Sequence, residues 1–215
     1  MKRLFVMIAA VALLAGCAAE KKAVRSGDLL FVAIPADYSL DSTDISSGIA
    51  AATGDGKLNY IHTAILEVSG DTTWVIDATI KHGVDRHPYE TFVSDFTLKD
   101  GSMPYLEVMR IKDGPRELVA NAKKHLGEPY DIWFAPDNGA MYCTELVRDC
   151  YLDADGNKLF EAAPMNFKDS SGEMPKYWIQ LFERIGSQIP QGEEGTNPQD
   201  MRQSPLLEFV TNTVK

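Results

Sequence analysis

Two runs of strand character, residues 59–68 and 72–80, are separated only by Ser69-Gly70-Asp71. A turn of that composition between alternating, β-branched and aromatic segments specifies a β-hairpin. A hairpin in turn commits the chain to an antiparallel sheet. Centred on Gly70, the hairpin pairs residues whose numbers sum to about 140, so Asp77 falls opposite about residue 63. His62 and Asp77 then become cross-strand neighbours with Cβ atoms about 4.5–5.5 Å apart. An acid inside an otherwise apolar strand needs a partner, and a histidine on the adjacent strand supplies one. A satisfied core histidine would show the same pattern.

Residues 29–34 and 105–111 add two more strands, and residues 39–52 form a short helix. Residues 83–88 read as a loop and 89–96 as a short helix. Asp113-Gly114-Pro115 opens a further helix, with Leu118, Val119, Ala122 and Leu126 as its apolar stripe and Gly127 as its stop. Another helix covers residues 175–185, with Tyr177, Trp178, Leu181 and Phe182 inward. Residues 188–205 are rich in Gly, Pro and polar side chains and read as a long loop or wrapped tail, before a last short element within 206–214. The class is therefore α+β, with an antiparallel sheet from the first half and helices mostly from the second packed on it.

The stretch from Gly127 to Tyr151 is a loop of turn formers followed by a helical pattern that begins at Cys143. Leu146, Val147, Cys150 and Tyr151 share one face; Glu145, Arg148 and Asp149 fall on the other. Cys143 thus occupies a first helical turn, where unpaired N–H groups and the helix dipole favour the negative charge of a nucleophilic thiolate. Free cysteine is also commonly buried as a small hydrophobe, so position alone leaves packing open. Cys150, seven residues further along, would sit about 10.5 Å away at 1.5 Å per residue, too far for a disulfide.

The first 17 residues resemble an export signal: Lys2 and Arg3, an apolar run from Leu4 to Leu14, then Ala15-Gly16-Cys17. Leu14-Ala15-Gly16-Cys17 resembles a bacterial lipobox, which makes Cys17 the lipidated first residue of a mature envelope protein. Residues 18–26 would be a tether, 27–190 the catalytic domain and 191–215 a tail wrapped on it. The expected location is the bacterial cell envelope, lipid-anchored, at the outer membrane or facing the periplasm. The net charge of −10, near −12 once Lys2 and Arg3 leave, argues against nucleic acid as a partner.

Of the other histidines, His125 lies near a helix end, where a cation suits the dipole. His82 and His87 flank Asp85, but the spacing matches no common zinc pattern, and no metal is expected.

Five segments carry a resemblance: Gly27-Asp28-Leu29-Leu30-Phe31, Ile61-His62-Thr63-Ala64-Ile65, Ile76-Asp77-Ala78, Gly127-Glu128-Pro129-Tyr130-Asp131 and Tyr142-Cys143-Thr144-Glu145-Leu146-Val147. In that order they resemble the circularly permuted papain-like amidases related to NlpC, the YiiX-like group, over most of residues 26–185. The histidine precedes the cysteine, as permutation requires. The resemblance implies a papain-like (NlpC-type) fold with Cys143 as nucleophile, His62 as general base and Asp77 as third member. It implies a substrate-side role for Tyr130, in positioning or oxyanion support, and places Tyr142 beside the site, where it either contacts substrate or only packs. The Cys143 backbone N–H, at a helix start, would be an oxyanion donor. No cofactor is implied. Cell-envelope peptides such as murein stems are the expected substrate. A lipid acyl hydrolase or acyltransferase, and a non-catalytic peptide- or lipid-binding module, stand as alternatives.

Overall fold

The computed structural model describes residues 23–214 apart from Ser39, Ser42, Thr43, Gly54, Asp55, Asp113, Pro115 and Arg116. The export signal, Cys17 and the helix start at Asp113 and Pro115 therefore lie outside the described residues. Among the described residues no helix is long and apolar enough to cross a membrane.

Strand β1 (Leu29–Pro35) is apolar throughout, and its residues 29–34 are buried on both faces. That suits its place inside an antiparallel sheet, between β2 (Leu58–Ser69) and β5 (Tyr105–Ile111). Beyond β2 come β3 (Thr72–Thr79) and β4 (Gly83–Pro88); beyond β5 comes β8 (Leu207–Thr211). One face carries Leu29, Phe31, Ile65 and Ile76 against α3 (Leu118–Ala122) and α4 (Cys143–Cys150). The other carries Leu30, Val32, Leu66 and Val75 against Phe92 of α2 (Tyr89–Phe96) and Ala50 of α1 (Ile45–Thr53). A third apolar cluster forms around α5 (Lys176–Ile185), with Trp178 and Phe182 buried against Phe134, Tyr142 and Phe167. The architecture is α+β, an antiparallel sheet packed against helices.

Three expectations need correction. Residues 83–88 are not a loop: they pair with β3 from Trp74↔Pro88 to Thr79↔Gly83. Gly, Asp, Arg and Pro made the segment read as a turn, but Pro88 ends an edge strand, where its missing N–H is tolerated. Residues 188–205 are not simply a loop. They contain β7 (Glu194–Gly195), paired with β6 (Ala163–Pro164), and α6 (Pro198–Arg202). Asn197 caps α6 by accepting the Asp200 N–H at 2.9 Å, with Pro198 in the first turn. Leu126 does not extend the stripe of α3: the helix tightens into a 3-10 turn at Lys123–His125, and Leu126 is left exposed.

Buried charge pairs tie these pieces to the sheet. Arg110 grips Asp28 through Nε and Nη2 at 2.6 and 2.7 Å. Arg202 of α6 grips Glu107 of β5 at 2.8 and 2.7 Å, and the Tyr60 hydroxyl donates to the same carboxylate at 2.6 Å. Arg and Lys from separate elements, Arg86 and Lys123, meet on Glu67.

Candidate active site

The β1–β2 ladder slips between Val32 and Ala33: Val32 pairs with His62 and Ala33 with Tyr60, so Ile61 is the extra residue of a bulge. Bulges re-aim side chains and increase local twist. One strand over, the β2–β3 ladder runs from Ser69↔Thr72 only as far as Ile65↔Ile76. His62 and Asp77 therefore face each other where the two strands have parted. His62 Nε2 and Asp77 Oδ2 are 2.7 Å apart, both groups buried. Phe96 of α2 lies over the imidazole at 4.7 Å between ring centres, fixing its plane.

Cys143 is the first residue of α4, where the leading N–H groups have no intrahelical partner. It is only 3% exposed. Its sulfur lies close enough to the His62 ring to raise the pKa of the imidazole. With Nε2 taken by Asp77, Nδ1 is the nitrogen left for the sulfur. Burial pulls the His62 pKa down, but the interaction with Cys143 and the hydrogen bond that the ring donates to Asp77 outweigh it, and the pKa rises to about 9. The arrangement favours an imidazolium beside the Cys143 sulfur at neutral pH.

The rest of the α4 start differs from a simple amphipathic reading. Glu145 is not on a solvent face; its carboxylate turns back to accept the Tyr142 N–H at 3.3 Å. Burial raises its pKa to about 8, with the Tyr142 N–H opposing and Asp131 and Asp149 adding to the rise. Arg148 donates to the Phe160 carbonyl at 3.0 Å, and Asp149 pairs with Lys158. Cys143 and Cys150 are both free and buried, and burial pushes the Cys150 thiol up to about 12.

The loop before Cys143 is braced by Asp131, which is fully buried. Its two carboxylate oxygens accept the N–H groups of Trp133 at 2.9 Å and Ala135 at 2.7 Å. Between them Phe134 adopts φ = 52°, a left-handed conformation uncommon outside glycine. Phe134 thereby fills the third cluster, 5.2 Å from Tyr142 and 5.5 Å from Trp178. Tyr130 bridges to Met141 and lines a cavity of about 50 Å³ at Cys143, together with Phe134, Tyr142, Met165, Trp178 and Thr196. Hollows of about 290 and 350 Å³ elsewhere have no cysteine in their walls.

The structure thus brings Cys143, His62 and Asp77 into one chain of contacts, with Tyr130 and Tyr142 on the cavity wall. Tyr142 already has a partner, since its hydroxyl accepts the Thr196 N–H at 3.1 Å. Thr144 donates to the Thr196 carbonyl at 3.1 Å, so the 194–197 segment is stitched to the nucleophile helix. Sequence reasoning missed that link, the bracing role of Asp131, and His87, whose buried ring lies on the far side of Asp77. Only recognition of β4 as a strand would have brought His87 to that place.

Residues 23–211 match the model of a family described as permuted papain-like amidase enzymes, YaeF/YiiX, C92 family. The chain belongs to this family. The uncharacterized protein YiiX of Escherichia coli strain K12 is 27% identical over 191 residues, which span 86% of this chain and 85% of that protein. A crystal structure of yiiX from Escherichia coli O157:H7, there described as a metalloprotein, superposes with a TM-score of 0.66 at 26% identity, over 89% of this chain and 98% of that one. At the family level the protein is a cysteine amidase of the permuted papain-like kind. In the permuted order the imidazole strand, β2, precedes the sulfur helix, α4.

Proposed function

We propose that the protein hydrolyses amide bonds of cell-envelope peptides, such as murein stems, through an acyl-enzyme on Cys143. The observation that carries this reading is His62 held between the Cys143 thiol and the Asp77 carboxylate. The thiolate attacks the amide carbonyl carbon. The tetrahedral oxyanion forms next to the Cys143 N–H at the start of α4. The C–N bond then breaks as the His62 imidazolium gives its proton to the leaving amine. Water, deprotonated by the now neutral His62, cleaves the thioester and restores the pair. Asp77 accepts the Nε2–H throughout, which fixes the tautomer that presents Nδ1 to sulfur.

Tyr130 would border the acyl group, while Tyr142 holds the 194–197 segment rather than substrate. A lipid acyl substrate is the second reading. The apolar lining of the cavity, with Phe134, Met165 and Trp178, favours it, but a volume of about 50 Å³ suits a small acyl group better than a long chain. The description of the Escherichia coli O157:H7 protein as a metalloprotein finds no matching donor set here: among the described residues no three His, Cys, Asp or Glu side chains converge on one point.

Turnover of a muropeptide panel and of short- and long-chain acyl esters tests the reading. Wild type should release amines from peptides, and Cys143→Ala should release none. Loss of one buried sulfur costs on the order of 1 kcal/mol, about 2–4 °C in melting temperature at this size, so the variant should remain folded. Unchanged hydrolysis by Cys143→Ala would rule the mechanism out. For the anchor, Cys17→Ser should move the protein from the membrane to the soluble fraction; an unaltered distribution would exclude lipidation at that residue.

A further inference from the structure

His87 is buried, yet neither of its ring nitrogens has a hydrogen-bond partner. Nε2 is 3.7 Å from Asp77 Oδ1, and Nδ1 is 3.6 Å from Asp85 Oδ2. Asp77 Oδ1 is likewise buried and unpartnered, because Oδ2 alone serves His62. Buried polar atoms without partners are uncommon and call for an explanation. The β3–β4 register supplies one. It sets Asp77 directly opposite Asp85, and like charges directly opposite on neighbouring strands repel. A group placed with one nitrogen toward each carboxylate resolves that repulsion only if both nitrogens carry protons, and a histidine ring does so only as the imidazolium.

We propose that His87 is a positioning residue for the thiol-hydrolase site: as an imidazolium it holds Asp77 ionised and aligned, so that Asp77 can in turn hold His62. The inference rests on the mechanism above. It makes the buried row Cys143, His62, Asp77, His87 alternate in sign, negative, positive, negative, positive, with no net charge to bury. Without the outer cation, the row carries an unbalanced negative charge in a buried setting, and uptake of a proton by Asp77 relieves it. His62 would then face a neutral carboxyl, a weaker acceptor than the carboxylate. Both nitrogen contacts are about 0.5 Å beyond hydrogen-bond range, so the hold is electrostatic and closes with a small ring movement.

The groups facing His87 are few. Asp77 faces it from β3 and Asp85 from its own strand. The His82 ring is 6.2 Å away in the β3–β4 turn, with Asp95 of α2 and Lys81 behind it. From α2 itself, Phe92 stacks on the ring at 6.3 Å.

The test pairs spectroscopy on the unaltered protein with a reactivity series. The ¹⁵N shifts of His87 at pH 7 should show a doubly protonated ring in wild type and a neutral one in Asp77→Asn. A neutral His87 ring in wild type would overturn the proposal. Alkylation of Cys143 by iodoacetamide at pH 6–7 should fall about tenfold in His87→Phe, which keeps the stack on Phe92 without the charge, as expected for loss of one nearby charge. His87→Gln should fall by a similar factor, while the melting temperature separates this from loss of fold. Rates within twofold of wild type in either folded variant would make His87 a packing residue and leave the hydrolase reading intact. An inert Cys143 in wild type would instead remove that reading, and this inference with it.

Discussion

His62 Nε2 meets Asp77 Oδ2 at 2.7 Å across strands whose backbone ladder has already ended at Ile65↔Ile76. The contact is made by side chains reaching into the gap, not imposed by register. Asp77→Ala should therefore free the imidazole to rotate and lower kcat for an amide substrate by roughly 10²–10⁴-fold. Asp77→Asn should lose less, since an amide oxygen can still accept the Nε2–H, as in Cys-His-Asn sites. Steady-state kinetics on the two variants checks the order; equal losses would show that a carboxylate charge, and not an acceptor, is what the ring needs.

The raised His62 pKa sets an alkaline limit. The folded value of about 9 lies above the ordinary 6.5, so the proton needed by the leaving amine is present below about pH 9 and lost as pH rises through it. The kcat/KM profile for amide substrates should fall on that limb. The stability contributed by the charged ring follows the same sign: full below 6.5 and lost through about pH 9. An activity that fell already at pH 7 would contradict the assignment.

Glu145 acts in the same direction over a lower pH range. Its carboxyl rises from 4.5 to about 8, chiefly through burial, so folding takes up a proton between those values and buries a charge above them. The protein should lose stability as pH climbs from 4.5 to 8 on this account. Glu145→Gln keeps an acceptor for the Tyr142 N–H and removes the charge. Thermal melts should show the variant gaining on wild type at pH 8–9 and little changed at pH 5.

Gly83 fixes β4 against the loop that leads to the site. It has φ = 67°, and a Cβ there would lie 2.4 Å from the Glu128 carbonyl oxygen, whose partner is the Val84 N–H at 2.8 Å. Gly83→Ala should cost about 1–3 kcal/mol through strain and displacement, read by denaturant unfolding. A neutral effect would mean that the 127–129 segment can shift away at no expense.

Much of this molecule was legible in order. The hairpin about Gly70 was expected to pair residues summing to about 140; the pairs observed, such as Leu66↔Val75, sum to 141. Helices starting at Cys143 and ending at Ile185 were readable from apolar spacing. The reversed order of imidazole and sulfur marked the permuted family. β4 and α6 were hidden because Gly, Asp and Pro serve edge strands and helix starts as readily as loops, and only neighbours distinguish these uses.

The sequence by itself determined which elements form and which residue types are available to react, because hydrophobic period and turn chemistry act over a few neighbouring residues. Only the tertiary structure decided which of those residues meet. The splay of β2 from β3, the bulge at Ile61, and the edge pairing that delivers His87 to Asp77 all depend on contacts between segments distant in the chain. No local preference in the chain encodes a distance between two such side chains.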